Sequence, residues 1–219
     1  MVMNKGGRDY LIKRFREEGL ESYRSIVRFF ERNEGELGEL EFEDYFSVFL
    51  EYVDALYEIG AHYKFLRFAD QVIELSIERN IVYFEGKDIF EYFVYRKGLA
   101  LLNLGLLNKS EGIALELLKM DPDNRDYKRL LYKIYYRRRT VDRINMRMYG
   151  VVFLLFSAFA VFLELVFFPV IGFHVSGFDL LRLGLFSIGL ALIAVTELIS
   201  SYYSRTAMLS QVKGIKQKR

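Results

Sequence analysis

Two uninterrupted apolar runs constrain this chain more than any other feature. Tyr149–Pro169 reads YGVVFLLFSAFAVFLELVFFP, 21 residues with one charge, Glu164. Leu180–Ser200 reads LLRLGLFSIGLALIAVTELIS, again 21 residues, with Arg182 near its start and Glu197 near its end. At ~1.5 Å per residue each run spans ~31 Å as a helix, the thickness of a ~30 Å hydrocarbon core. The segment Val170–Asp179 between them holds Gly172 and Gly177 and is too short for anything but an antiparallel turn. The pattern predicts a two-span transmembrane hairpin over 149–203. A buried hairpin of a soluble protein is the alternative.

Charge divides the chain at the same place. The net charge of +2 over 219 residues hides a split: residues 1–136 carry 20 basic and 25 acidic side chains, and residues 137–219 carry 11 and 4. The first part, at −5, reads as a water-facing domain. The second, at +7, reads as a membrane segment with basic flanks. Arg137, Arg138, Arg139, Arg143 and Arg147 precede the first run, and Arg205, Lys213, Lys216, Lys218 and Arg219 follow the second. The intervening turn region offers Arg182 alone as a cation. Lys and Arg stay on the cytoplasmic side of a membrane, which places both termini inside an inner or plasma membrane and His174 in an outer loop. The Arg cluster is expected to meet anionic lipid headgroups rather than nucleic acid, with Arg137, Arg138, Arg139, Arg143, Arg147 and Arg205 as the contacts. Tyr149, Tyr202 and Tyr203 fall at the same inner interface. The first residues, MVMNKGGRDYLIKRFREEG, lack an apolar core, so no cleaved signal peptide is expected and the hairpin serves as the targeting signal.

Small residues mark faces on which membrane helices can approach closely. Gly184, Ser187, Ala191 and Ala194 recur at steps of three and four on one face of the second helix. Gly150, Ser157, Ala160 and Glu164 share a face of the first. These faces are expected to pack on each other within the hairpin or between protomers. A carboxylate in hydrocarbon needs a partner or water. Glu197 lies close enough to the inner interface to reach Arg147 or Arg205. Glu164 is expected to need a polar neighbour from another chain, or a water-filled path.

The first 136 residues repeat at an offset of 45. Residues 55–75 read ALYEIGAHYKFLRFADQVIEL and residues 100–120 read ALLNLGLLNKSEGIALELLKM. Ala55/Ala100, Leu56/Leu101, Gly60/Gly105, Lys64/Lys109 and Ala69/Ala114 are identical, and each unit reads helix, glycine turn, helix. The stretch GLLNKSEGIALELLKMDPDN from Gly105, with its turn glycine, small-then-apolar second helix and closing Asp121-Pro122-x-Asn124, resembles a tetratricopeptide repeat. The resemblance covers about residues 45–125 and implies an all-α, helical-hairpin solenoid that binds proteins and carries no catalytic residues. The spacing of 45 exceeds that family's usual 34, and Asn80–Asp88 is expected to absorb the excess. Tyr10–Arg32 reads as an earlier, poorer unit turning at Gly19. Glu31–Asp44 reads as a solvated loop. A last helix is expected from Asp123 or Asn124, its face of Tyr127, Leu130, Leu131 and Ile134 capping the stack, and its end running on through the Arg cluster into the first span.

Chemistry-bearing motifs are absent from the sequence. There is no Cys and there are 2 His, and no phosphate loop, dinucleotide fingerprint or zinc-protease motif appears. No cofactor, metal or enzymatic activity is expected. Tyr45, Tyr52, Tyr92 and Tyr95 could form an aromatic box, though core packing is the simpler expectation. The organisation expected is a cytoplasmic helical-repeat domain (1–136), a basic juxtamembrane helix (137–148), a two-span hairpin (149–203) and a basic tail (204–219). Its expected role is a membrane-anchored scaffold that recruits protein partners. The alternatives are an oligomeric, channel-like effector with the repeat as sensor, or an accessory subunit of a larger membrane complex.

Overall fold

A computed structural model of the chain describes residues 5–19, 22–84, 86–167 and 178–218. The fold is all-helical, with one two-stranded hairpin, and divides into two compact units, Met1–Asp121 and Pro122–Arg219.

The first unit runs α1 (Lys5–Gly19), α2 (Tyr23–Arg32), α3 (Glu34–Leu37), α4 (Phe42–Glu58), α5 (His62–Glu78), β1 (Tyr83–Phe84), β2 (Lys87–Asp88), α6 (Ile89–Asn103) and α7 (Leu107–Met120). Apart from the single-turn α3, each helix packs on the next in chain order: α1 on α2, α2 on α4, α4 on α5, α5 on α6, α6 on α7. Apolar residues at helical spacing drive this. Phe46, Phe49, Leu50, Val53 and Leu56 line the buried face of α4, as Phe65, Ala69 and Val72 do on α5. Ala55 and Ala100 are both wholly buried, as are Ala69 and Ala114, so the repeated small residues stand where neighbouring helices close.

The two repeat turns are built alike. Gly60 and Gly105 have φ +78 and +76. The Ala61 N–H donates to Leu56 and the Gly60 N–H to Tyr57; Leu106 and Gly105 donate in the same way to Leu101 and Leu102. This pair of bonds satisfies the last carbonyls of α4 and α6 and requires a left-handed residue just past the helix, which glycine adopts without strain. The β1–β2 hairpin, turning at Gly86, occupies the linker expected to absorb the long repeat spacing, and Asp88 then caps α6 by accepting from the Glu91 N–H. Glu31–Asp44 is not a solvated loop. It contains the end of α2, α3 and the start of α4, because Leu37 and Leu40 are buried and anchor it.

The second unit holds α8 (Arg125–Arg138), α9 (Thr140–Phe162) with a π-helical turn at Leu163–Phe167, and α10 (Phe178–Gln217). Asn124 caps α8, accepting from the N–H groups of Asp126 and Tyr127. The expected passage of α8 straight into the first span is interrupted at Arg139, where the helix breaks. The apolar face of α8 is buried as expected, but α8 falls within this unit and packs along the end of α10. The expected tail is helical as well as far as Gln217: α10 runs unbroken for 40 residues, ~60 Å, twice the thickness of a hydrocarbon core.

Candidate functional site

The second unit is a long helical hairpin, one arm formed by α8 and α9 and the other by α10. Its antiparallel register is written in polar contacts. Asp123 pairs with Lys216 (2.6 Å), the Tyr132 and Ser201 hydroxyls lie 3.1 Å apart, Tyr136 donates to Glu197, Arg147 pairs with Glu197, and Arg182 pairs with Glu164 (2.7 Å). Lys216, then Lys128, holds the Asp123 carboxyl below its usual range by hydrogen bonding.

Two of these pairs frame the apolar part. Arg147 to Glu164 on α9 and Glu197 to Arg182 on α10 enclose about 26 Å and about 23 Å of helix rise. The helices that carry these pairs, Ile144–Val166 and Leu180–Gln217, are long and apolar enough to cross a membrane, and only 17 % and 11 % of their most apolar windows is buried. A core helix of a soluble protein would be mostly buried. These helices instead expose Leu155, Phe156, Phe159, Leu165, Leu183 and Leu190.

The seam between the arms uses the expected face of α9 and a different face of α10. Gly150, Ser157 and Ala160 are buried, and Ser157 donates to the Arg182 carbonyl. Among the described residues of α10 the buried positions are Gly189, Thr196, Ser200, Ser204 and Val212. Gly150 and Gly189 form the tightest crossing: a Cβ on Gly150 would lie 2.7 Å from Ile193 Cγ1, and one on Gly189 would lie 2.9 Å from the Gly150 carbonyl oxygen. The expected α10 stripe of Gly184, Ser187, Ala191 and Ala194 is not at this seam. Ser187, Ala191 and Ala194 are exposed, and a Cβ on Gly184 would meet nothing within 4 Å. The two small-residue stripes lie on opposite sides of one helix, and the hairpin uses the second.

Glu164 has its polar neighbour inside the chain. The Arg182 pair supplies the polar neighbour expected from another chain or a water path. Arg182 was visible in the sequence, but its depth could be matched to Glu164 only once the register was known. Glu197 reaches Arg147, as expected, and gains the Tyr136 hydroxyl besides. Arg137, Arg138, Arg139, Arg147 and Arg205 are all exposed. The side chain of Arg143, and the expected outer loop with His174, lie outside the described residues.

In the first unit, Arg96 is sandwiched between the rings of Tyr57 (4.6 Å) and Tyr92 (4.7 Å) and pairs with Asp54 (2.8 Å) and Glu58 (2.9 Å). Tyr92 donates to Asp54, and Tyr52 to Glu31. Burial first, then these carboxylates, raise the pKa values of both phenols. Three of the expected box tyrosines do not converge: Tyr45 and Tyr52 pack around Phe30 and Phe49, whereas Tyr92 belongs to the Arg96 sandwich. A crevice of about 90 Å³ beside them, lined by Leu50, Asp54, Phe84, Lys87 and Tyr92, is well short of the ~300 Å³ at which small-molecule sites begin. Among the described residues no three acidic or histidine side chains are grouped to hold a metal. No protein-family model, curated protein or solved structure matches the chain.

Proposed function

We propose that the chain is a membrane-anchored scaffold: the hairpin crosses the membrane between its two ion pairs, and the stacked helical pairs of the first unit, read as a tetratricopeptide-like solenoid, recruit a protein partner at the cytoplasmic face. The observation that carries this reading is the exposed apolar length between Arg147–Glu197 and Glu164–Arg182, which fits a hydrocarbon core and continues into a charged helical half. The basic residues at that charged end favour the cytoplasmic side and anionic headgroups.

A second reading, a self-associating membrane effector, has one observation in its favour. The Gly184–Ser187–Ala191–Ala194 stripe is not used within the hairpin and stays open to another helix. The same stripe would serve docking to a foreign subunit. Mass measurement of the full chain in mild detergent and in lipid nanodiscs separates the three. A single chain bearing a soluble partner bound through the first unit is the scaffold result. A closed ring of copies, or co-purified membrane subunits, would replace it.

A further inference from the structure

We propose that the hairpin holds one anionic glycerophospholipid in a crevice on the flank of α10, a discrete site beyond the diffuse attraction of basic residues to a membrane surface. The crevice encloses about 130 Å³ and is lined by Arg139, Met146, Leu192, Val195, Ile199 and Ser200, with Thr196 beside them. Three features point to this occupant.

The first is a charge that no carboxylate among the described residues pairs with. Arg139 stands at the break between α8 and α9, its guanidinium stacked 4.5 Å from the Tyr203 ring centroid. Arg147 and Arg182, by contrast, are paired with carboxylates. Among the described residues no carboxylate pairs with Arg139, and stacking leaves the edge of its planar fork free for a phosphate.

The second is a hydroxyl with no partner. Ser200 is 3 % exposed, and its Oγ makes no hydrogen bond. Its neighbours on the same face behave otherwise: Thr196 donates back to the Leu192 carbonyl and Ser204 to the Ser200 carbonyl. A buried hydroxyl left unpaired costs free energy, and an acceptor from outside the chain would remove the cost. A glycerol-ester carbonyl is such an acceptor.

The third is depth. Leu192–Ser200 forms the last two turns of the apolar part of α10 before Tyr202, Tyr203 and Arg205, where headgroups meet acyl chains. Leu192, Val195, Ile199 and Met146 then take a stretch of acyl chain, Ser200 the ester, and Arg139 the phosphate. The site rests on the membrane reading above.

The test uses the full chain in nanodiscs of phosphatidylcholine with a minor fraction of phosphatidylglycerol, released into mild detergent for native mass spectrometry. Wild type should retain one phosphatidylglycerol in preference to phosphatidylcholine. Arg139→Gln should lower that retention about five-fold, the factor matching roughly 1 kcal/mol per basic residue. Val195→Phe, which fills the crevice, should lower it comparably, and Ser200→Ala by less. Arg205→Gln, on the opposite side of α10, should leave it unchanged. Equal losses from Arg139→Gln and Arg205→Gln would mean diffuse electrostatics and overturn the site. So would full retention in Val195→Phe, or complete displacement by excess glycerol phosphate, which would make it a simple phosphate site. A chain that enters the discs but retains no lipid refutes the crevice alone, whereas a chain that never enters them refutes the membrane reading too.

Discussion

At the residue scale, backbone geometry separates glycines that must be glycine from those that need not be. Gly105 has open space around a prospective Cβ, so its constraint is φ +76 and not crowding. Gly105→Val should destabilise the first unit by about 1–3 kcal/mol in thermal unfolding followed by circular dichroism. Gly105→Asn should cost much less, since Asn80 already holds φ +54 at the corresponding place after α5, with the same bond from Ile81 to Ser76. The phenols offer a second residue-scale test. Tyr45, Tyr52, Tyr57 and Tyr92 all have raised pKa values, burial being the largest cause in each. A raised acid pKa means the unfolded state loses its proton first. The stabilisation is therefore intact below the ordinary phenol value of ~10 and is lost as pH rises above it. Alkaline unfolding should begin near pH ~10, ahead of full phenolate absorbance, and Tyr52→Phe with Tyr92→Phe should move it upward. Coincidence of wild-type and double-variant profiles would contradict the assignment.

At the element scale, the seam and the exposed stripe of α10 make opposite predictions for two glycines one and a half turns apart. Gly189→Ala forces a Cβ to 2.9 Å from backbone and should spread the arms, whereas Gly184→Ala meets open space and should not. The chain has no cysteine, so spin labels on introduced cysteines at the exposed positions Val151 and Leu190 report the inter-arm distance directly. The Glu164–Arg182 pair gives a companion test. Both side chains are about a third exposed, 31 % and 36 %. Glu164→Leu should therefore cost between the ~0–1 kcal/mol of an exposed pair and the ~3–5 kcal/mol of a broken buried one, and the exchange Glu164→Arg with Arg182→Glu should restore much of it. Features of this scale were legible in the sequence where they are local. The stops at Gly60 and Gly105, the Asn124 cap and both apolar runs depend on neighbouring residues alone. The seam was not legible, because α10 carries small residues on two opposite faces and periodicity cannot choose between them. The same limit hid the partner of α8, whose apolar face was plain but whose packing on α10 depends on hairpin register, and it hid the Arg182 pairing of Glu164.

At the scale of the whole molecule, the proposed scaffold has the second unit as a membrane hairpin whose charged half continues beyond the bilayer. In that proposal the ion pairs bound the length left to lipid, and α10, 40 residues long without a break, reaches past that boundary. The first unit, acidic and rich in paired helices, then has a fixed address. This depends on the hairpin crossing the bilayer once in each direction with its basic end inside. The most direct measurement is the accessibility of single cysteines in intact cells, using the cysteine-free chain with His174→Cys or Gln217→Cys and a membrane-impermeant maleimide. The proposed topology predicts labelling at 174 without permeabilisation and at 217 only after it, with both proteins resisting alkaline carbonate extraction. Labelling of both positions from one side, or release of the chain by carbonate, would contradict it.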